Sequence, residues 1–146
     1  MNSQTFGMII GGVAPAVLFG LSGVFAKSST QAGIGLPFYL GIVGLAAIVV
    51  GAMFHLYEPD TTVSSQSALY ASLVGSTWAL GAGLAALGLM KFQVPVSKLV
   101  PLYNMNTLIA VLLGLWVFSE WKAISIPQLL LGSVFIVVGG VLVSRA

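Results

Sequence analysis

The chain has 146 residues, 58% of them hydrophobic and 5% charged, with a mean hydropathy of +1.09. A water-soluble domain carries about a quarter charged residues, so water is excluded as the main solvent. The pI near 9.2 rests on five cations against three carboxylates, with no Lys/Arg run of the kind that binds nucleic acid, and no nucleic-acid partner is expected.

A bilayer crossing takes roughly 20 apolar residues, which leaves room for four or five helices in one bundle. The first apolar run covers 6–26 and is expected to stop at the polar cluster Lys27-Ser28-Ser29-Thr30. Its start carries no basic region and the run is too long for a signal peptide, so a permanent helix is expected. The second run, 36–57, opens with Pro37 in its first turn and closes at Glu58-Pro59-Asp60. A Ser/Thr-rich stretch, 61–67, leads into the third helix, 67–90, which ends at Lys91-Phe92-Gln93 before Pro95. The fourth covers 96–118. The turn Ser119-Glu120-Trp121-Lys122 separates it from the fifth, 126–144, which starts beside Pro127 and ends at Arg145. The expected fold is all-α: a single domain, a polytopic bundle of five transmembrane helices.

Small residues four apart recur at Gly7 and Gly11, at Gly75, Ala79 and Gly83, and at Thr77, Gly81 and Ala85. That spacing lets helix backbones approach closely, and the third helix is expected to pack most tightly. Five spans put the termini on opposite sides. Lys27, Lys91, Lys98 and Arg145 then share one side and Lys122 takes the other, so the positive-inside rule sets the N-terminus outside and the C-terminus in the cytoplasm. The expected setting is a cell membrane, in particular a prokaryotic inner membrane.

There is no cysteine and one histidine, His55. That leaves no thiolate or paired-histidine metal site, and no cofactor is expected. No paired carboxylates or activated nucleophile stand out, so an enzyme is not expected and no catalytic residue is assigned.

Candidate binding residues are those whose polarity is costly in a span. Lys98 is the one lysine, arginine, aspartate or glutamate inside a run. Either its stem snorkels to the headgroups and helps set topology, or it attracts an anionic group of substrate or lipid. Pro101 interrupts the fourth helix one turn later and is expected to free a carbonyl near Ser97 or Lys98. Tyr103, Asn104, Asn106 and Thr107 follow, with 103, 106 and 107 on one face of a continuous helix. They suit a polar, uncharged or zwitterionic cargo, or they join helices by hydrogen bonds. Gly11, Gly12 and Pro15 mark the first helix as kinked, or as a close-packing surface. Trp78 either walls a cavity or fills a groove.

Two stretches carry a family resemblance. The run from Ala14-Pro15 through Phe19-Gly20-Leu21-Ser22-Gly23 to Lys27 resembles the first helix of EamA-like members of the drug/metabolite transporter superfamily. Val96-Ser97-Lys98-Leu99-Val100-Pro101-Leu102, Leu113-Gly114 through Ser119-Glu120, Gln128 to Gly132 and Gly139-Gly140-Val141 resemble that family's closing helix pair. Together they cover roughly half the chain. The resemblance implies a half-size transporter, one five-helix repeat of the ten-helix members. It would carry a small polar metabolite or drug by alternating access, as a homodimer or as a heterodimer with a related half-transporter, with membrane lipids as its surroundings. A membrane scaffold or assembly subunit, or a lipid-linked-sugar flippase, are the alternatives. Short relatives often place a charged pair after the proline, where this chain has Tyr103, Asn104, Met105 and Asn106. Four-helix multidrug members use a glutamate in the first helix, and the first helix here has no carboxylate. Neither charge-based mechanism is carried over.

Overall fold

A computed structural model describes residues 2–122 and 125–146, and every regular element among them is helical. Five helices are long and apolar enough to cross a bilayer: Ser3–Gln31, Leu36–Tyr57, Ser65–Met90, Val96–Val117 and Ile126–Arg145. The chain divides into two compact units, Met1–Gln93 and Val94–Ala146.

In the first unit, span one is built from α1 (Ser3–Met8), a π-helical segment (Ile9–Val13) and α2 (Ala14–Gln31). Asn2 caps α1 by accepting the Gln4 N–H at 2.9 Å. The π turn closes through the Ala14 N–H on the Ile9 carbonyl, five residues back. Its cause lies just ahead. Pro15 has no N–H to donate, and its ring presses toward the carbonyl of Gly11 four residues earlier; the wider turn relieves that crowding, and Gly11 and Gly12 bring no side chains into it. The helix does not stop at Lys27-Ser28-Ser29-Thr30 but continues to Gln31. The Ser28 Oγ donates to the Val24 carbonyl at 3.1 Å and the Thr30 Oγ1 to the Lys27 carbonyl at 2.8 Å. Hydroxyls satisfied on their own helix no longer require a loop. The stop falls at Gly33, whose φ of +88° suits a residue without a Cβ.

α3 (Leu36–Tyr57) places Pro37 in its first turn. It ends where Pro59 forces Glu58 out of helical geometry, to φ −127° and ψ 92°. α4 (Ser65–Met90) starts two residues before the expected Ser67, because Ser64 and Ser67 cap it reciprocally: the Ser67 N–H reaches Ser64 Oγ at 3.1 Å and the Ser64 N–H reaches Ser67 Oγ at 2.9 Å. Both α2 and α3 pack on α4. Burial on α4 is confined to Gly83, Ala86 and Leu89 near its C-terminal end. Of the two small-residue stripes on this helix, the one through Gly83 makes contact: a Cβ there would sit 3.3 Å from Leu40 Cδ1. Gly75 and Gly81 face open space, and the Thr77 hydroxyl turns back onto the Leu73 carbonyl at 2.7 Å.

In the second unit, span four is two helices, α5 (Val96–Tyr103) and α6 (Asn106–Val117), and span five is α7 (Ile126–Arg145). A 3₁₀ turn, Glu120–Lys122, follows α6. Both α5 and α6 pack on α7. The face of α7 turned to them carries Ser133 and Gly140, seven residues and so two turns apart, and both are buried.

Candidate functional site

The departure from helical geometry in span four is the best-defined irregularity of the second unit. Pro95 starts α5, its carbonyl accepting the N–H groups of Lys98 and Leu99 at 3.0 Å. Pro101 sits within α5, yet the chain stays helical through Tyr103 and leaves α geometry only at Asn104 and Met105. There the bonds shorten to the 3₁₀ pattern. The Met105 N–H goes to the Leu102 carbonyl at 3.3 Å, that of Thr107 to Asn104 at 3.1 Å and that of Leu108 to Met105 at 3.1 Å. The departure from α geometry therefore lies past Pro101, while the Ser97 carbonyl still lacks the donor that a proline at 101 cannot supply. Asparagine favours turns over helix interiors, and two of them, Asn104 and Asn106, flank Met105 at this point.

Because the Met105 N–H bonds to Leu102, it passes over the Pro101 carbonyl. That oxygen faces α7 at Gly140, where an added Cβ would lie 2.8 Å away and would also meet Met105 Cγ at 3.4 Å. A glycine is needed for this approach, and a Cα–H···O contact is the interaction it permits. The Ser133 hydroxyl, 3% exposed, is satisfied by the Leu129 carbonyl at 2.9 Å.

Asn104 and Asn106 are exposed, the ninth and eleventh of the 22 residues of span four. Tyr103, the last residue of α5, is 42% exposed. Thr107 is half-buried, and its Oγ1 donates to the Asn104 carbonyl at 2.8 Å. The four polar residues thus cluster around the discontinuity, but they do not lie along one face of a continuous helix. Lys98 sits in the first turn of α5 and is half-buried.

The remaining candidates belong to the first unit. Gly11 and Gly12 lie in the π segment and Pro15 directly after it. Trp78, on α4, is 55% exposed. It is not among the residues of the apolar groove between α3 and α4, formed by Leu36, Leu40, Ala79, Leu80, Gly83, Leu84 and Leu87. That groove offers no polar side chain to a polar solute. Among the described residues no three His, Cys, Asp or Glu side chains gather as a metal site would require.

Ser133 and Gly140 were not expected as contact residues. The available signal was two small residues seven apart on one helix face, a spacing common enough in apolar spans to escape notice.

Among the described residues every regular element is helical and five helices are able to cross a bilayer, the architecture of a multi-pass membrane protein. No family model, no curated protein and no solved structure matches it.

Proposed function

We propose that this protein is a half-size, EamA-like membrane transporter that moves a small polar metabolite or drug by alternating access as a dimer. The observation that carries the reading is the break at Asn104–Met105, with two exposed amides at the middle of span four. An amide moved from water to hydrocarbon without a partner loses about 4–8 kcal/mol. Asn104 and Asn106 therefore face a hydrated cavity or another protein surface, not lipid. Discontinuous helices at the midplane are where transporters bind their substrates. In this reading Tyr103, Asn104, Asn106 and Thr107 contact an uncharged or zwitterionic solute. The π segment with Gly11, Gly12 and Pro15 supplies a second irregular helix, where span one flexes.

The test is thermal unfolding of the purified protein across a panel of neutral, zwitterionic and anionic metabolites. A ligand present at 100 times its Kd raises stability by about 2.7 kcal/mol. At least one polar solute is expected to stabilise the protein, and Asn106→Leu to abolish the effect. A scaffold whose amides only join helices would show no ligand response, and Asn106→Leu would lower oligomer stability alone. That pattern would replace the transport reading.

A further inference from the structure

Lys98 and Arg145 come to the same end of the second unit. α5 and α6 pack on α7, and Val117 is joined to Ile126 by a short connection, so spans four and five form an antiparallel hairpin. Lys98 lies nineteen residues before Val117 and Arg145 nineteen residues after Ile126. At 1.5 Å per residue, each is about 29 Å from the connected end. The Pro101–Gly140 contact gives an independent check, because Lys98 is three residues from Pro101 and Arg145 five from Gly140, toward the same end.

Nothing acidic on the side chains of this unit offsets the pair. Its one acidic residue, Glu120, belongs to the turn at the opposite end. Lys98 occupies the first turn of α5, where the helix's own backbone is positive, and Arg145 the last turn of α7, where the backbone is negative and the guanidinium more than offsets it. A separation of about 29 Å matches a hydrocarbon core of about 30 Å, so both cations reach the level of the headgroups when the connected end lies at the other boundary. Arginine binds phosphate through two parallel N–H groups, and lysine adds a compact point charge.

We propose that Lys98 and Arg145 together hold the phosphate of an anionic phospholipid headgroup, one cation from each helix of the hairpin. This binding site is independent of the substrate reading above. Its ligand is lipid rather than a soluble anion because the two charges share the headgroup plane and neither adjoins the mid-span break.

Native mass spectrometry of the full chain with phosphatidylglycerol and phosphatidylcholine tests the assignment. Lys98→Met and Arg145→Met are each expected to weaken phosphatidylglycerol binding about fivefold, and the double variant about 30-fold, with phosphatidylcholine binding unchanged. Lys122→Met, at the opposite end, is expected to leave binding unaltered. The swap Lys98→Arg with Arg145→Lys keeps both charges and should retain binding, which holds the test open if a methionine variant fails to fold. Wild-type affinity in the double variant would overturn the proposal, as would an equal loss in Lys122→Met. Displacement of the lipid by millimolar inorganic phosphate would assign the pair to a soluble anion and overturn the lipid site.

Discussion

At the scale of single residues, Gly140 is the position least able to change. A methyl group there would meet the Pro101 carbonyl oxygen at 2.8 Å, a backbone atom that cannot swing away. Gly140→Ala is expected to destabilise the protein by about 1–3 kcal/mol, the usual range for overpacking. The neighbouring Gly139 has nothing within 4 Å of its Cβ position, so Gly139→Ala should be neutral or up to about 1 kcal/mol stabilising through helix propensity. Thermal unfolding of the two variants side by side checks the contrast; equal effects would contradict the close contact. Asp60 gives a second residue-scale test, in the loop between α3 and α4. Its Oδ1 accepts the Thr62 hydroxyl at 2.6 Å and the Thr62 N–H at 2.9 Å, and these bonds hold its carboxyl below the ordinary aspartate value, the hydroxyl contributing most. A depressed value means the turn is fully formed above the free aspartate pKa of about 3.9 and is lost as pH falls through the lowered value. Carboxyl NMR of Asp60 should show that shift, and Thr62→Ala should raise the titration toward the free value.

At the scale of elements, the spans were legible because each apolar run of about 20 residues is bounded by prolines or by charged and hydroxyl-bearing residues. The ends were less legible where serine and threonine decide them. Ser28 and Thr30 carry span one past its expected stop by bonding their own helix, and the Ser64–Ser67 cap starts α4 early. The break in span four was readable as a proline signal, yet its position was not. That position depends on the asparagines at 104 and 106 and on the bare surface that Gly140 offers to the Pro101 carbonyl, a contact 39 residues distant in sequence. The π segment was readable as a kink from Gly11, Gly12 and Pro15, but its five-residue hydrogen-bond ring was not, since a kink and a π turn share the same residues. Deleting Gly12 removes one residue from that wide turn and should return 9–13 to α geometry. Slower hydrogen exchange of the amides at 9–14 is the expected result, with lower transport activity if span one flexes there. Unchanged exchange would show that the wide turn is no weak point.

At the scale of the whole molecule, five helices are long and apolar enough to cross a bilayer; were all five to cross, the termini would lie on opposite sides, and four cations against one would favour a cytoplasmic C-terminus. Tags on both termini, probed in intact cells, should show the N-terminus accessible from outside and the C-terminus protected; equal populations of both orientations would contradict the charge argument. An odd-span unit joined to an inverted copy gives the two-fold arrangement of many transporters, and under the transporter reading proposed above a half-size chain would find its second half by association. Under the transporter reading proposed above, the amides at the break in span four contact a transported solute. Solute uptake into proteoliposomes, using whichever solute stabilises the purified protein, tests it most directly. Uptake by the wild type, and its loss in a folded, membrane-inserted Asn106→Leu variant, is the predicted result; uptake that Asn106→Leu and Asn104→Leu leave intact, or no uptake above empty vesicles, would contradict it.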